Sequence, residues 1–322
     1  MPHIKRPYGG NSQACLDNQE AGARSFGGWS VVRHAAVLPA ILGCASLAAA
    51  QYPATSRAAE PKQAQAVRPF KIVDGVYYVG DSDLASYLIV TPAGLILLDG
   101  GRAQTAEQIE SNIRALGYNI TQVKILLNGH AHPDHAGGLA KLKRDSDARF
   151  EAMDAEVEPL EHEGRGTFYR GSMPLFDSIG VDEVLHDGSE VALGGVRLSA
   201  HRTPGHTPGC TTWTMKVQDG GVVSNVVFAC QLTAPDDLVS NPLYPDAAAD
   251  FERSFALLLR LPCDVLLGEH GAAFDLQAKM LRLSAGAGEN PFIDAGDCRR
   301  HLEAAAQAFR RELDDQRRAQ QR

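Results

Sequence analysis

The residues best suited to chemistry stand close together: His130, Ala131, His132, Pro133, Asp134 and His135 read H-A-H-P-D-H. They follow the apolar run Val123 to Leu127, with only Asn128 and Gly129 between. At a strand end, positions 130 and 132 point the same way because side chains alternate with a period of two. The loop beyond can turn Asp134 and His135 inward. Imidazole and carboxylate gathered around one cavity are ligands for zinc, which binds them at about 2.0–2.2 Å. Buried without a metal, the same groups would be short of partners and costly. Two further histidines share this setting. His206 lies in T-P-G-H-T-P-G, where Pro204-Gly205 and Pro208-Gly209 stiffen the loop after a strand near Val196 to Ala200. His270 follows the buried run Asp264 to Leu267. Strand ends are where a sheet scaffold usually presents its reactive groups. His201 competes with His206 but lies outside the rigid turn, and reads as a supporting or structural residue. His162, in a charged stretch, His186, beside the Asp187-Gly188 turn, and His301, in a C-terminal helix, read as solvent-facing.

Positioning these groups requires a sheet scaffold, and the sequence supplies one. FKIVDGVYYVG from Phe70 reads as two short strands around Asp74-Gly75, and Tyr87 to Val90 with Leu95 to Leu98 as a hairpin. The period then changes: Ile109, Ile113 and Leu116 line one face of a helix closed by Gly117. Short strands and glycine turns recur from Val181 to Cys230. A helix with Phe251, Phe255, Leu258 and Leu259 on its apolar side comes next, then a buried strand into His270 and a terminal helix. Strand, helix and buried strand in alternation predict an α/β fold. The expected form is a four-layer αβ/βα sandwich of two mixed β-sheets flanked by helices. No linker divides it, so residues 69–316 are expected to form one domain, with 51–68 a flexible lead-in and 317–322 a frayed tail.

Composition bounds the function. The 322 residues are 44% hydrophobic and 22% charged, with a formal net charge of -8, so no positive field favours nucleic acid. No repeat period or coiled-coil pattern appears, and a monomer is the default. Residues 1–50 read as a polar leader followed by a signal peptide. Arg33 and His34 precede an apolar stretch from Ala35 to Ala50 that is short for a membrane span and carries small residues before a cleavage point near Gln51. Export to the periplasm follows. The alternative is lipoprotein processing within Ile41-Leu42-Gly43-Cys44, which would tether the protein to a membrane through Cys44. Cys15 and Cys44 lie in the leader, leaving Cys210, Cys230, Cys263 and Cys298. An even number in an oxidising compartment permits two disulfides, and no CxxC spacing points to redox catalysis.

HxHxDH followed by two lone histidines resembles the metallo-β-lactamase superfamily. Within it, LLDGG at 97–101, HAHPDHAGG at 130–138, HRTPGHTPGCTTW at 201–213 and LTAP at 232–235 resemble subclass B3. The resemblance implies two Zn2+ ions, the first on His130, His132 and His206 and the second on Asp134, His135 and His270. It also implies disulfides Cys263–Cys298 and Cys210–Cys230. The implied reaction is hydrolysis of the β-lactam amide bond of antibiotics by a metal-bound hydroxide, which Asp134 orients, with no acyl-enzyme. Ser172 and Ser199 lack an SxxK context, and no GxSxG elbow is present.

Relatives with other substrates, among them glyoxalase II, carry a metal-bridging aspartate after the strand that here ends VVFAC. This chain has Cys230-Gln231-Leu232-Thr233 there, which weighs against a thioesterase or phosphodiesterase. Hydrolysis of lactones or thioesters remains the alternative. Gln231 replaces the serine usual in B3 and can reach the second zinc or the substrate, or fill part of the cavity. Thr233 matches a hydroxyl that holds the substrate carboxylate. Phe168 and Tyr169, in the segment 164–180, resemble the loop bordering the substrate. Glu269 stands where close relatives often have proline. It either supports a ligand from behind or faces solvent, and the default for a charged residue is solvent.

Overall fold

The structure, a computed structural model, describes residues 65–166, 173–234, 237–286 and 288–322. Short apolar strands build the first sheet. β1 (Phe70–Val73) and β2 (Val76–Tyr78) turn back on each other at Asp74-Gly75, where Gly75 takes φ +74°. β3 (Tyr87–Thr91) and β4 (Gly94–Leu98) form the expected hairpin, with Thr91 opposite Gly94. β5 (Val123–Leu127), β6 (Arg149–Met153) and β7 (Glu183–Leu185) complete seven strands in sequential order. Pairing is antiparallel as far as β4 and parallel beyond it. Parallel neighbours need crossovers. These are α1 (Ala106–Ala115), then α2 (Pro133–Ala136) with α3 (Leu139–Ser146), then α4 (Val157–Glu161).

The second sheet holds β8 (Glu190–Leu193), β9 (Val196–Arg202), β10 (Thr211–Asp219), β11 (Val222–Ala229) and β12 (Val265–Gly268), in the order β12-β11-β10-β9-β8. Only β11 and β12 are parallel, joined through α5 (Ala247–Leu258). Then α6 (Leu276–Ser284) and α7 (Ala295–Gln320) close the chain.

Three apolar clusters glue four layers together. Ile72, Tyr87, Leu98, Trp213, Phe228 and Leu267 pack in the largest, which joins residues of both sheets. Ile109, Ile113, Leu139 and Leu142 attach α1 and α3 to the other face of the first sheet. Phe251, Phe255, Leu302 and Phe309 attach α5 and α7 to the second sheet through Val227 and Leu266. Two mixed sheets flanked by helices are thus observed. The disulfides pair as expected: Cys210–Cys230 at the site end of β10 and β11, and Cys263–Cys298 between the approach to β12 and α7.

The ends of the domain differ from expectation. Within the lead-in assigned to 51–68, Ala66 already bridges Asp81, the Gln65 amide donates to Ser82 Oγ at 2.8 Å, and Val67 packs on the core. Backbone pairing fixes these residues where no hydrophobic period announces it. At the other end α7 continues to Gln320, past position 317. Residues 1–64, including Cys44, lie outside the described residues. Among the described residues no helix is long and apolar enough to cross a membrane.

Candidate metal centre

Three strand exits converge on one edge of the sandwich. β5 leaves its sheet through Asn128 and Gly129. The Trp213 indole donates to the Asn128 carbonyl at 3.1 Å, and the Thr211 amide donates to the Gly129 carbonyl at 2.8 Å. Both bonds clamp that exit to β10 of the other sheet. His132 then caps α2, with Pro133 in its first turn, where a missing N–H breaks no helical bond. This short helix swings Asp134 and His135 back toward His130. His206 comes from the loop after β9, and His270 from the end of β12.

The rings of His130, His132 and His206 lie with centroids 4.6 to 4.7 Å apart. Ligating atoms of these three residues fall within 4.8 Å of one another, and so do those of Asp134, His135 and His270. Asp134 Oδ2 is 3.5 Å from His135 Nε2 and 3.6 Å from His270 Nε2. His130 and His135, with centroids 4.6 Å apart, join the two trios. The six sequence-predicted ligands are therefore assembled.

The outer nitrogens explain why the inner ones are lone pairs. His206 Nδ1 is 2.7 Å from the Thr233 carbonyl, which can only accept, so Nδ1 carries the proton and Nε2 is left bare. His130 Nδ1 donates to Glu269 Oε1 at 3.1 Å and His270 Nδ1 to Asp83 Oδ1 at 3.2 Å. In each case the pinned Nδ1 commits Nε2 to the cavity, the arrangement that orients metal-ligating histidines. His206 Nε2 then faces His132 Nδ1 at 2.9 Å. Buried and without a hydrogen-bond partner stand His130 Nε2 and both ring nitrogens of His135. Orphaned nitrogens among buried imidazoles are what a bound cation satisfies, so the donor set fits a divalent metal.

Electrostatics agree. Burial pushes the His130 and His206 pKa values well below the usual range, reinforced by neighbouring imidazoles, and lowers His132 to about 4. These three are neutral ligands at pH 7. Burial also works against charge on His135, but Glu269, Asp99 and Asp134 outweigh it and raise its pKa to about 10. Burial raises Asp134, yet His135 and His270 overcome this and hold it below the usual carboxylate range. Among the described residues no Lys or Arg pairs with Asp99, Asp134 or Glu269. Burial pushes the Glu269 carboxyl well above the usual carboxylate range, against the opposing pull of His135.

Two supports were not legible as such. Asp99, seen only as part of LLDGG, is buried at φ +64°, a strained conformation for a non-glycine residue. Its Oδ1 accepts the Gly129 amide at 2.8 Å, and its Oδ2 lies 3.6 Å from His135 Nδ1. Glu156, in the turn between β6 and α4, is 1% exposed and accepts three donors. They are the Ala131 amide at 2.6 Å, the Thr207 hydroxyl at 2.5 Å and the Gly209 amide at 2.9 Å. One carboxylate thus ties the H-A-H segment to the His206 loop. A run reading DAEVEPLEHE gives no periodic signal that would have singled it out.

A family model described as the metallo-beta-lactamase superfamily matches residues 79–270, and the chain belongs to that superfamily. Within it, the chain is similar to the native FEZ-1 metallo-beta-lactamase from Legionella gormanii. Identity is 40%, over 80% of this chain and 99% of that one, with a TM-score of 0.76. It is also similar to BJP-1, a subclass B3 metallo-beta-lactamase of Bradyrhizobium japonicum, at 36% identity over 81% of this chain and 99% of that one, TM-score 0.75. A hydroxyacylglutathione hydrolase from Anaeromyxobacter dehalogenans is 31% identical over 127 residues, 39% of this chain and 40% of that protein. The chain spans less than half the length of the curated relatives it matches.

Other assigned residues fall as follows. Thr233 is brought to the site by its carbonyl, and its side chain is exposed beside His206. Gln231 is half-buried and its Oε1 accepts the Leu232 amide at 3.2 Å. Phe168, Tyr169 and Ser172 lie outside the described residues, while Phe176 buries against the body. His201 bonds Thr214 across β9 and β10, away from the trios. His301, expected to face solvent, is instead half-buried between Asp275 and Asp297, 3.3 Å from each, because α7 packs that face inward. Glu269, whose default reading was solvent, is buried behind His130. The His130 N–H there replaces a hydrogen bond that water would give the carboxyl at the surface.

Proposed function

We propose that the chain hydrolyses the amide bond of β-lactam antibiotics with two zinc ions, one on His130, His132 and His206 and one on Asp134, His135 and His270. The observation that carries this is the assembled six-ligand constellation in a chain that spans 99% of two solved metallo-beta-lactamases. Zinc at such a site supplies Lewis acidity, acidifying water and polarising a carbonyl. The residues do the rest. His130, His206 and His270, each pinned at Nδ1, hold their lone pairs without reorganisation. Asp134, its pKa held low, is a carboxylate at neutral pH and orients the attacking water by accepting its proton's hydrogen bond. The exposed Thr233 hydroxyl and the Gln231 amide are suited to the substrate's carboxylate, and Phe168 with Tyr169 to its apolar rim.

Export to the periplasm with removal of the leader, or tethering through Cys44, fits both this activity and the disulfides. The protein acts as a monomer in this account, and confers resistance on its host. The likeness to a hydroxyacylglutathione hydrolase favours one competitor, thioester hydrolysis. Against it, the end of β11 carries Cys230, half of a disulfide, in place of a carboxylate. The test is to compare kcat/KM for a carbapenem, a cephalosporin and a glutathione thioester on zinc-loaded protein. Opening of the lactam rings at least ~100-fold more efficiently than thioester cleavage is expected, within the discrimination of which a hydrogen-bonding site is capable. The reverse order would replace the proposal by the thioesterase.

A further inference from the structure

Glu269 sits between β12 and the ligand His270, 6% exposed. One oxygen accepts His130 Nδ1–H, and the other, Oε2, is buried without a hydrogen-bond partner. Such a side chain fits because residue 129 has none. A Cβ on Gly129 would stand 1.7 Å from Glu269 Oε1 and 2.8 Å from its Cδ. Gly129 is not among the residues of positive φ, so its backbone would accept any L-residue. The carboxylate, not the turn, is what requires glycine before the first ligand.

We infer that Glu269 and Gly129 are a matched pair that positions the first metal site. Gly129 opens the space, and Glu269 fills it with a carboxyl oxygen that fixes the tautomer of His130. The carboxylate commits His130 Nε2 to the cavity beside His132 and His206. Glu269 is a positioning residue: it acts on the metal through His130. The inference rests on the zinc-binding reading of the two trios, and goes beyond it in assigning affinity to a residue outside the six ligands.

The test measures zinc dissociation constants on the full chain by competition with a chromophoric chelator, together with the visible spectrum of the cobalt-substituted protein. Glu269→Gln keeps an acceptor for His130, so zinc at the first site stays within about 3-fold of the unaltered chain, whereas Glu269→Ala loses the acceptor and weakens the site by about 10- to 100-fold. Gly129→Ala drives the carboxylate out and weakens the first site as Glu269→Ala does. The double variant Gly129→Ala/Glu269→Ala is no weaker than either single one, because both break one contact. The cobalt bands of Glu269→Ala and Gly129→Ala shift, which a change in stability alone would not cause. Wild-type affinity and cobalt spectrum in Glu269→Ala and Gly129→Ala would overturn this inference alone, as would a loss in Glu269→Gln as large as that in Glu269→Ala. So would losses that add in the double variant. Failure of the unaltered chain to bind zinc would overturn the zinc reading with it.

Discussion

Replacing Glu156 with alanine removes the acceptor that holds both histidine loops from behind. Three buried donors lose their partner at once: the Ala131 and Gly209 amides and the Thr207 hydroxyl. Each unsatisfied donor costs about 1–3 kcal/mol. An opposing effect is present. Burial pushes the Glu156 pKa from 4.5 to about 7 against the three hydrogen bonds, so keeping it ionised at pH 8 costs on the order of 3 kcal/mol, which the alanine variant recovers. The net is a destabilisation of about 3 kcal/mol at pH 8, a large share of the roughly 5–15 kcal/mol that holds a domain together. Urea unfolding of the chelator-treated protein, followed through the buried Trp213, measures it directly. A change below about 0.5 kcal/mol would refute the claim that this carboxylate braces the site. So would a loss of stability with unchanged zinc affinity, since Ala131 lies between two ligands.

The same residue sets a pH dependence. Its folded pKa is raised, so between about 4.5 and about 7 the folded chain keeps a proton that the unfolded chain has released. Stability from this group is therefore full below 4.5 and lost as pH rises through 7. The difference in unfolding free energy between the metal-free protein and Glu156→Gln should fall by up to about 3 kcal/mol across that window. A flat difference would show that Glu156 titrates normally. Zinc removal should lower stability as well: at free zinc about 100-fold above the dissociation constant each site contributes ~2.7 kcal/mol, so chelation should reduce the melting temperature by several degrees. An unshifted transition would mean that no metal binds the folded state. Replacing Cys263 and Cys298 by serine, 35 residues apart, should cost about 3–4 kcal/mol in denaturant unfolding, and a cost under about 1 would mean that the link constrains little.

Much of the site was legible because its ligands are local punctuation. H-A-H-P-D-H follows directly on an apolar run, and His206 and His270 stand at the ends of others, so strand direction alone brings them to one edge. The braces were not legible, because each is a long-range contact between unremarkable residues. Glu269 meets His130 across 139 positions and Asp83 meets His270 across 187. Nothing near Glu269 in the sequence distinguishes a carboxylate under a metal from one in water. The clue was Gly129, whose absent side chain becomes meaningful only once the exit of β5 in one sheet meets the end of β12 in the other. Asp99 was visible in its motif, but its left-handed backbone was not. His301 was misread because α7 is polar over most of its length, and only packing shows which turn faces inward. The layering of helices on two sheets followed from alternating strand and helix patterns; the pairing of Ala66 with Asp81 involves too few residues to form any pattern.

Metal-dependent opening of a β-lactam ring at the six-ligand site can be followed in one titration. The protein is stripped with EDTA, zinc is returned in measured equivalents, and hydrolysis of a carbapenem is followed by the loss of ring absorbance. The stripped protein should show no turnover, and activity should return with added zinc and level off at two equivalents. Folded protein that binds zinc and leaves carbapenem, cephalosporin and penicillin intact would contradict it, as would hydrolysis that persists undiminished after the metal is removed.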